Sequence, residues 1–312
     1  MQQQQQQSFS SNGGNATTNL EARYPELPQF AKGLSEGNPD ALKMLEAFLE
    51  NDDAWYLALY LLSQNDTNCQ FYGALSLQTK ISRDYEKLSE QDRIGLRDEL
   101  VHQLKQFMRG PAIVFRKLSQ AVIVCAQHLV PAQWSNVAVG ILQAFDDMAV
   151  SGTVSSDAKA EASLEFLCIA SEDASQCEGP LKDDFNAAAG DLVNFVSLYF
   201  EPGAEPRPTL KKAWNALASL IQFNIPFDPM LVSILSFAFK RLEFLASQKT
   251  VARSAGRDFG VYNEEIDAAI RVLEEISSNR LVEMRYSHTM ATLLFDNFAQ
   301  PWVESEIKFC ID

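Results

Sequence analysis

The feature that most constrains this chain is a helix-type pattern that recurs at a nearly constant interval. From Leu27 onward, apolar residues are spaced three and four apart, and strand-like alternation is absent. Helix-ending residues followed by proline interrupt the pattern at Gly110-Pro111, Val130-Pro131 and Gly179-Pro180. The sequence therefore predicts an all-α chain with helices over 39–50, 53–64, 67–84, 89–108, 111–129, 132–148, 155–174, 181–200, 207–223, 229–247, 261–278 and 281–299.

The predicted helices form pairs with a regular period. Alternate helices begin near Thr67, Pro111, Ser155 and Pro206, so successive starts are 44, 44 and 51 residues apart. This interval is close to the roughly 40–47 residues of a HEAT or armadillo repeat and longer than the roughly 34 of a tetratricopeptide repeat. We therefore expect a right-handed superhelical solenoid of HEAT-type helical pairs, each pair burying its faces on its neighbours. An irregular helical domain is the alternative.

Composition limits the functions that such a chain could have. Its 26 basic and 41 acidic residues give a net charge of -15, which repels nucleic-acid phosphate and anionic membranes and favours basic partners. No apolar run reaches the roughly 20 residues of a membrane helix, and no apolar segment after the first Met resembles a secretory signal. We expect an intracellular protein that binds neither nucleic acid nor membrane. The first 22 residues, rich in Gln, Ser, Asn and Gly, are predicted to form a disordered tail.

Two predicted helices show opposed faces that suggest an accessible surface. In the helix over 67–84 and at its end, a core-facing stripe contains Phe71, Ala74, Leu77, Ile81 and Tyr85. Its opposite side carries Tyr72, Ser76, Thr79, Lys80 and Arg83. In the helix over 111–129, the core stripe contains Val114, Leu118, Ala121, Val122, Cys125 and Leu129, and the other side carries Arg116, Gln120, Ile123 and Gln127. These outer rows are candidates for a concave binding surface, or for an ordinary solvated face.

Acidic residues are concentrated between positions 141 and 200. This block contains eleven acidic residues against Lys159 and Lys182, which is -9 of the total -15. In the helix over 155–174, four carboxylates lie within about 80° of one another, namely Asp157, Glu161, Glu165 and Glu172. We name these four the acidic ridge. The ridge is interpreted either as an electrostatic surface for a basic partner or as a solubilising face.

Catalytic and metal-binding patterns are weak. The chain has three histidines, and none stands in a metal-ligand spacing. Cys125 and His128 share a helix, but Cys125 belongs to the core stripe and a third orienting group is missing nearby. No glycine-rich phosphate-binding loop is present. The sequence therefore predicts no catalytic, cofactor-binding or metal-binding residue, no cofactor, and a protein that is not an enzyme.

One stretch of the chain resembles a known family. It contains Ala54-Trp55 with Leu61-Leu62, then Phe71-Tyr72-Gly73-Ala74 with Leu77 and Lys80-Ile81, then Leu96-Arg97-Asp98. In order and spacing these residues resemble the N-terminal repeats of the importin-β (karyopherin) family, most closely the transportin-SR branch. The resemblance implies importin-β N-terminal-like HEAT repeats over 23–148 and further HEAT-type repeats, similar to an exportin/importin-β-like region and truncated, over 149–312.

The resemblance implies a function in nucleocytoplasmic transport. In karyopherins the second helix of each pair lines the inner surface, and the N-terminal repeats hold the GTP-bound form of the small GTPase Ran. We therefore expect a nuclear transport receptor that binds Ran-GTP, basic protein cargo and nucleoporins and shuttles between cytoplasm and nucleus. A HEAT-repeat scaffold or adaptor without GTPase dependence is the alternative. The predicted contacts with Ran or cargo are Ser76, Thr79, Lys80, Arg83, Arg116, Gln120, Gln127 and the acidic ridge.

Overall fold

The computed structural model describes residues 20, 22–200, 205–223, 232–256, 258 and 260–286. Within these residues the chain forms twelve numbered α-helices and no strand, which confirms the all-α fold class. The helices are α1 (Leu27–Ser35), α2 (Pro39–Phe48), α3 (Ala54–Leu62), α4 (Thr67–Asp84), α5 (Glu90–Gln106), α6 (Ala112–Leu129), α7 (Val137–Val150), α8 (Ser156–Ser175), α9 (Pro180–Ser197), α10 (Pro208–Leu220), α11 (Val232–Ser254) and α12 (Gly260–Tyr286). In the described ranges, no helix has the length and apolarity to cross a bilayer.

The helices are organised as HEAT-type pairs within two compact units, Met1–Asp184 and Phe185–Asp312. In the first unit α3 packs on α4, α5 on α6 and α7 on α8. The second helices of these pairs also stack on one another, α4 against α6 and α6 against α8. In the second unit α12 packs on both α10 and α11. The predicted domain borders and the right-handed superhelix stay predictions.

The core stripes predicted for α4 and α6 are largely confirmed. All six stripe residues of α6 are buried, and in the α4 stripe only Phe71 is partly exposed. The prediction that Ile123 lies on the outer side of α6 is wrong, because Ile123 is 0% exposed. As the middle member of the α4, α6 and α8 stack, α6 is covered on two flanks, so its buried arc is wider than a single stripe.

Close packing of α3 against α4 depends on Gly73. A Cβ atom at this position would lie 2.7 Å from the Ala58 carbonyl oxygen and 2.8 Å from the Leu62 amide nitrogen. Contacts this short with backbone atoms do not occur in folded proteins without a shift of one helix. Gly73 therefore sets the separation of the two helices in this pair.

Several predicted helix boundaries differ from the structure. The segment predicted over 132–148 forms a helix only from Val137, and α1 was not among the predicted helices. Residues 281–286 continue α12, so the predicted break after residue 278 is wrong, and the rest of the helix predicted over 281–299 lies outside the described residues. Leu20 is 2% exposed and belongs to the core cluster that contains α1 residues, two positions before the predicted end of the tail. The remaining tail residues, 1–19 and 21, are likewise not described.

Candidate partner-binding surface

The eleven predicted contact residues lie on α4, α6 and α8, the three stacked second helices of the first unit. Four of them are exposed, namely Arg83, Arg116, Gln127 and Asp157. Five are partly buried, namely Thr79, Gln120, Glu161, Glu165 and Glu172. Two are buried, Ser76 and Lys80, each at 1% exposure. For Ser76 and Lys80, the prediction of an accessible binding residue is therefore wrong.

Lys80 is buried because the protein supplies acceptors for its ammonium group. The Nζ atom lies 3.2 Å from the carbonyl oxygens of both Leu49 and Asn51, just after the end of α2, and donates a third hydrogen bond to Asp84. It also lies 5.6 Å from the centre of the Trp55 ring. A buried ammonium is tolerated only when it is paired and hydrogen-bonded. Lys80 therefore joins α4 to the turn after α2 from the inside of the repeat.

Asp84 is the carboxylate that balances this buried charge. Its second oxygen accepts from Lys87 at 2.7 Å, on the more exposed side. Burial alone would raise the pKa of the Asp84 carboxyl, but the hydrogen bonds and charges of Lys80 and Lys87 outweigh burial and lower the pKa. Asp84 is therefore ionised at neutral pH.

Ser76 is buried for a different reason, since it packs inside the helix stack. Its Oγ atom makes no hydrogen bond to any described residue.

Arg83 is the accessible cation of the α4 row. Its guanidinium Nη2 atom lies 2.7 Å from Oε2 of Glu50, and the two side chains are 40% and 67% exposed. The hydroxyl of Thr79, one turn earlier on α4, donates to the Leu75 carbonyl oxygen at 2.9 Å. Glu50 could not be found from the sequence pattern, because its partner Arg83 is 33 residues away and no helical spacing connects them.

Two of the three predicted residues of α6 bind other parts of the same unit, and the third binds within α6. Arg116 Nε lies 2.5 Å from Oε1 of Glu165 on α8, with 64% of the arginine side chain and 14% of the glutamate side chain exposed. The Gln127 amide donates to the Cys177 sulfur at 2.8 Å. The Gln120 oxygen accepts from Lys117 at 2.8 Å. The outer row of α6 therefore contributes to contacts between repeats as well as to the surface.

The acidic block is only partly an open surface. Lys159 on α8 pairs with Asp146 on α7 at 2.6 Å, and Arg116 pairs with Glu165 of the acidic ridge. Burial raises the pKa of the Asp173 carboxyl, Glu172 raises it further, and Lys117 opposes both. Asp157 is the exposed member of the acidic ridge.

Asp184, also in the acidic block, has a structural role that the sequence did not reveal. Its two carboxylate oxygens accept from the backbone amides of Asn136 at 2.7 Å and Val137 at 2.9 Å. These amides lie at the start of α7, where the left-handed backbone of Asn136 (φ 52°) leaves the helix without a cap from its own side chain. The negative charge of Asp184 is also stabilised by the positive, N-terminal end of the α7 helix dipole. Asp184 thus defines the start of α7 from 47 residues away.

The cysteine and histidine residues show no pair suited to nucleophilic catalysis in the described part of the chain. Burial raises the pKa of the Cys125 thiol to about 12, so its thiolate is strongly disfavoured at neutral pH. His128 stacks on the ring of Tyr85 with 4.2 Å between ring centroids. Among the described residues, no three His, Cys, Asp or Glu side chains are grouped closely enough to hold a metal ion.

Fold and surface together define a class of protein, a helical-repeat protein whose stacked second helices carry a mixed charged row. In this respect the chain is similar to the importin-β family. Residues 41–106, which extend from α2 to the end of α5, match the importin-β N-terminal domain.

Three relatives illustrate the range of similarity. Importin-13 of Mus musculus is 20% identical over 249 residues, covering 78% of this chain and 24% of the relative. Transportin MOS14 of Arabidopsis thaliana is 32% identical over 96 residues, covering 30% of this chain and 10% of the relative. Importin beta-like protein kap111 of Schizosaccharomyces pombe is 36% identical over 76 residues, covering 24% and 8%. The chain thus spans about a quarter of the length of the importin-13 relative, and the transportin-SR branch stays a prediction.

Proposed function

We propose that the chain acts in nuclear transport as the Ran-GTP-binding part of an importin-like receptor. The observation that carries this proposal is the importin-β N-terminal domain over residues 41–106. This domain contains α4, whose outer row carries Arg83 and Thr79. The row is continued by α6 and α8, so a partner as large as a small GTPase would meet side chains from three consecutive repeats.

The charges of this row support a polar, salt-sensitive interface. Arg83 and Arg116 are exposed cations on α4 and α6, while Asp157 is an exposed carboxylate on α8. Such mixed charges increase association rates and orient a partner more than they increase affinity. Interfaces of this kind weaken as salt screens the charges.

The wider transport function is proposed on the same basis. The names importin and transportin of the relatives support a carrier of protein cargo that is not itself an enzyme. We propose that the chain contacts nucleoporins, enters both cytoplasm and nucleus, and favours basic cargo because of its net charge of -15. Ran and cargo would bind the same helical array. Each can then change the affinity of the other only if it binds one conformation of that array more tightly than another.

The direct test is binding of the full chain to immobilised Ran loaded with GTP or with GDP. We expect capture by the GTP form and much weaker capture by the GDP form. The variant R83A should reduce capture by Ran-GTP. K43A is the matched control, because it removes an exposed lysine of α2, and it should leave capture unchanged. Equal binding to both forms would favour a helical scaffold without GTPase dependence.

A further inference from the structure

Lys80 and Arg83 lie on the same helix and are connected through a residue from another part of the chain. Lys80 Nζ donates to the carbonyl oxygens of Leu49 and Asn51, the residues on either side of Glu50. The Glu50 carboxylate in turn accepts from Arg83 at 2.7 Å. The buried Lys80 thus fixes the backbone on both sides of Glu50. Glu50 is in turn the ion-pair partner of the exposed Arg83.

The first part of this connection, formed by the buried hydrogen bonds of Lys80, is strong. Lys80 is 1% exposed, and its three donors meet two carbonyl oxygens and the Asp84 carboxylate. Without the ammonium group, both carbonyl oxygens and the Asp84 carboxylate would lose a buried charge-assisted hydrogen bond. The turn after α2 is therefore tied to α4 wherever the repeat is folded.

The second part, formed by the ion pair of Glu50 and Arg83, is weak and depends on the first part. Glu50 and Arg83 are 67% and 40% exposed, and an exposed ion pair by itself constrains its side chains little. The pair is favoured here because the Glu50 backbone has already lost its freedom on both sides. If the turn moves, the carboxylate moves with it, and Arg83 is free to adopt other rotamers.

We propose that Lys80 is a positioning residue for the partner-binding row, acting through Glu50 to hold the Arg83 guanidinium in place. This role rests on the proposed function, in which Arg83 contacts the GTPase. It assigns a use to a lysine that cannot itself reach a partner. It also gives the turn 49–51 a part in recognition, through the Glu50 carboxylate that binds Arg83.

The positioning role can be measured without any partner. In the full chain labelled with 15N-arginine, the Nε–Hε resonance of Arg83 is identified by its loss in R83K. We expect K80M and E50Q each to move this resonance to the position of solvent-exposed arginine. K87M is the matched control, because it also removes a lysine bound to Asp84, but from the exposed side. The Arg83 resonance should stay in place in K87M.

The same spectrum reports whether each variant is folded. Arg93 in the first unit and Arg241 in the second should keep their resonances, since both bind groups outside the turn. If K80M does not fold, K80M/D84L replaces both buried charges by apolar side chains of similar size and still lacks the lysine donors. The role is overturned if Arg83 keeps its resonance in K80M or K80M/D84L, if K87M shifts it equally, or if it already resembles free arginine in the unaltered chain.

Binding then separates this role from the proposed function. K80M should weaken Ran-GTP binding by about fivefold, no more than R83A does, and K80M/R83A should bind no more weakly than R83A alone. Additive losses would overturn an action through Arg83. If the Arg83 resonance shifts in K80M but the unaltered chain does not bind Ran-GTP, the proposed function is refuted and the positioning role is retained.

Discussion

Arg116 on α6 and Glu165 on α8 are joined by an ion pair of 2.5 Å that connects two consecutive repeats through their second helices. The glutamate is a member of the acidic ridge and is only 14% exposed, whereas the arginine is 64% exposed. The charge of Glu165 is thus already neutralised within the protein. A basic partner would compete with Arg116 for this position rather than meet a bare carboxylate.

Separating this pair should cost little stability. R116A and E165A should each lower the free energy of unfolding by up to about 1 kcal/mol, because the arginine is largely solvated. The reversed pair R116E/E165R should recover part of that loss. Urea unfolding at low and high salt measures both effects, and the loss should shrink at high salt. A loss that is unchanged by salt would show that packing, and not charge, connects the repeats here.

Gly73 should not tolerate a side chain. G73A places a methyl group against backbone atoms of α3, and we expect a loss of about 1–3 kcal/mol in the free energy of unfolding. Gly140 in α7 is the matched control, since a Cβ atom there would meet no other group within 4 Å. G140A should therefore stabilise the protein by about 0.5–1 kcal/mol. Equal effects of the two substitutions in urea unfolding would contradict the close approach of α3 and α4.

Asp184 should stabilise the start of α7 although it lies in another helix. D184A leaves two backbone amides without their acceptor, and we expect a loss of about 0.5–2 kcal/mol, the range of helix caps. D183A removes the adjacent, exposed carboxylate and should be nearly neutral. Hydrogen exchange of the first turn of α7 should accelerate in D184A and not in D183A. Similar exchange in the two variants would refute the cap.

Asp66 should make stability depend on pH in the acid range. Its pKa is lowered chiefly by the hydrogen bond from the Cys69 amide, so the folded state holds the carboxyl ionised below its unfolded value of about 3.9. The resulting stability is fully present above that value and is lost as pH falls through the lower folded pKa. D66N keeps a side-chain oxygen that can accept from the Cys69 amide at the start of α4, but it cannot titrate. The urea midpoint of D66N should therefore fall less steeply below pH 4 than that of the unaltered chain. Identical acid profiles would contradict this.

Asp173 should make stability depend on pH in the opposite direction to Asp66, and the same urea unfolding experiment measures both. Burial raises its pKa above the unfolded value, so ionising it opposes folding as pH rises through that range. D173N should therefore raise the urea midpoint at pH 7 and lose that advantage at low pH. A variant that is less stable than the unaltered chain at pH 7 would mean that the Asp173 carboxylate has a stabilising partner.

Local pattern predicted the helices and the repeat period but not the contacts between repeats. The stripe of α6 followed from spacing alone, because burial along one helix is periodic. Lys80 and Asp184 could not be assigned in this way. Their roles depend on carbonyl and amide groups that lie 29 to 48 residues away, and a helical wheel contains no information at that separation. For the same reason Ser76 and Lys80 were predicted as accessible contact residues, although both are buried.

The affinity of the full chain for Ran-GTP, relative to Ran-GDP, at two salt concentrations is the most direct measurement of the proposed function. We predict preferential binding of the GTP form, weakened by higher salt and by R83A. Because the charged row spans α4, α6 and α8, charge reversal at Asp157 or Glu161 should alter the salt dependence as well. Equal or absent binding of the two nucleotide forms would contradict Ran recognition by this chain, leaving only the match of residues 41–106 to the importin-β N-terminal domain.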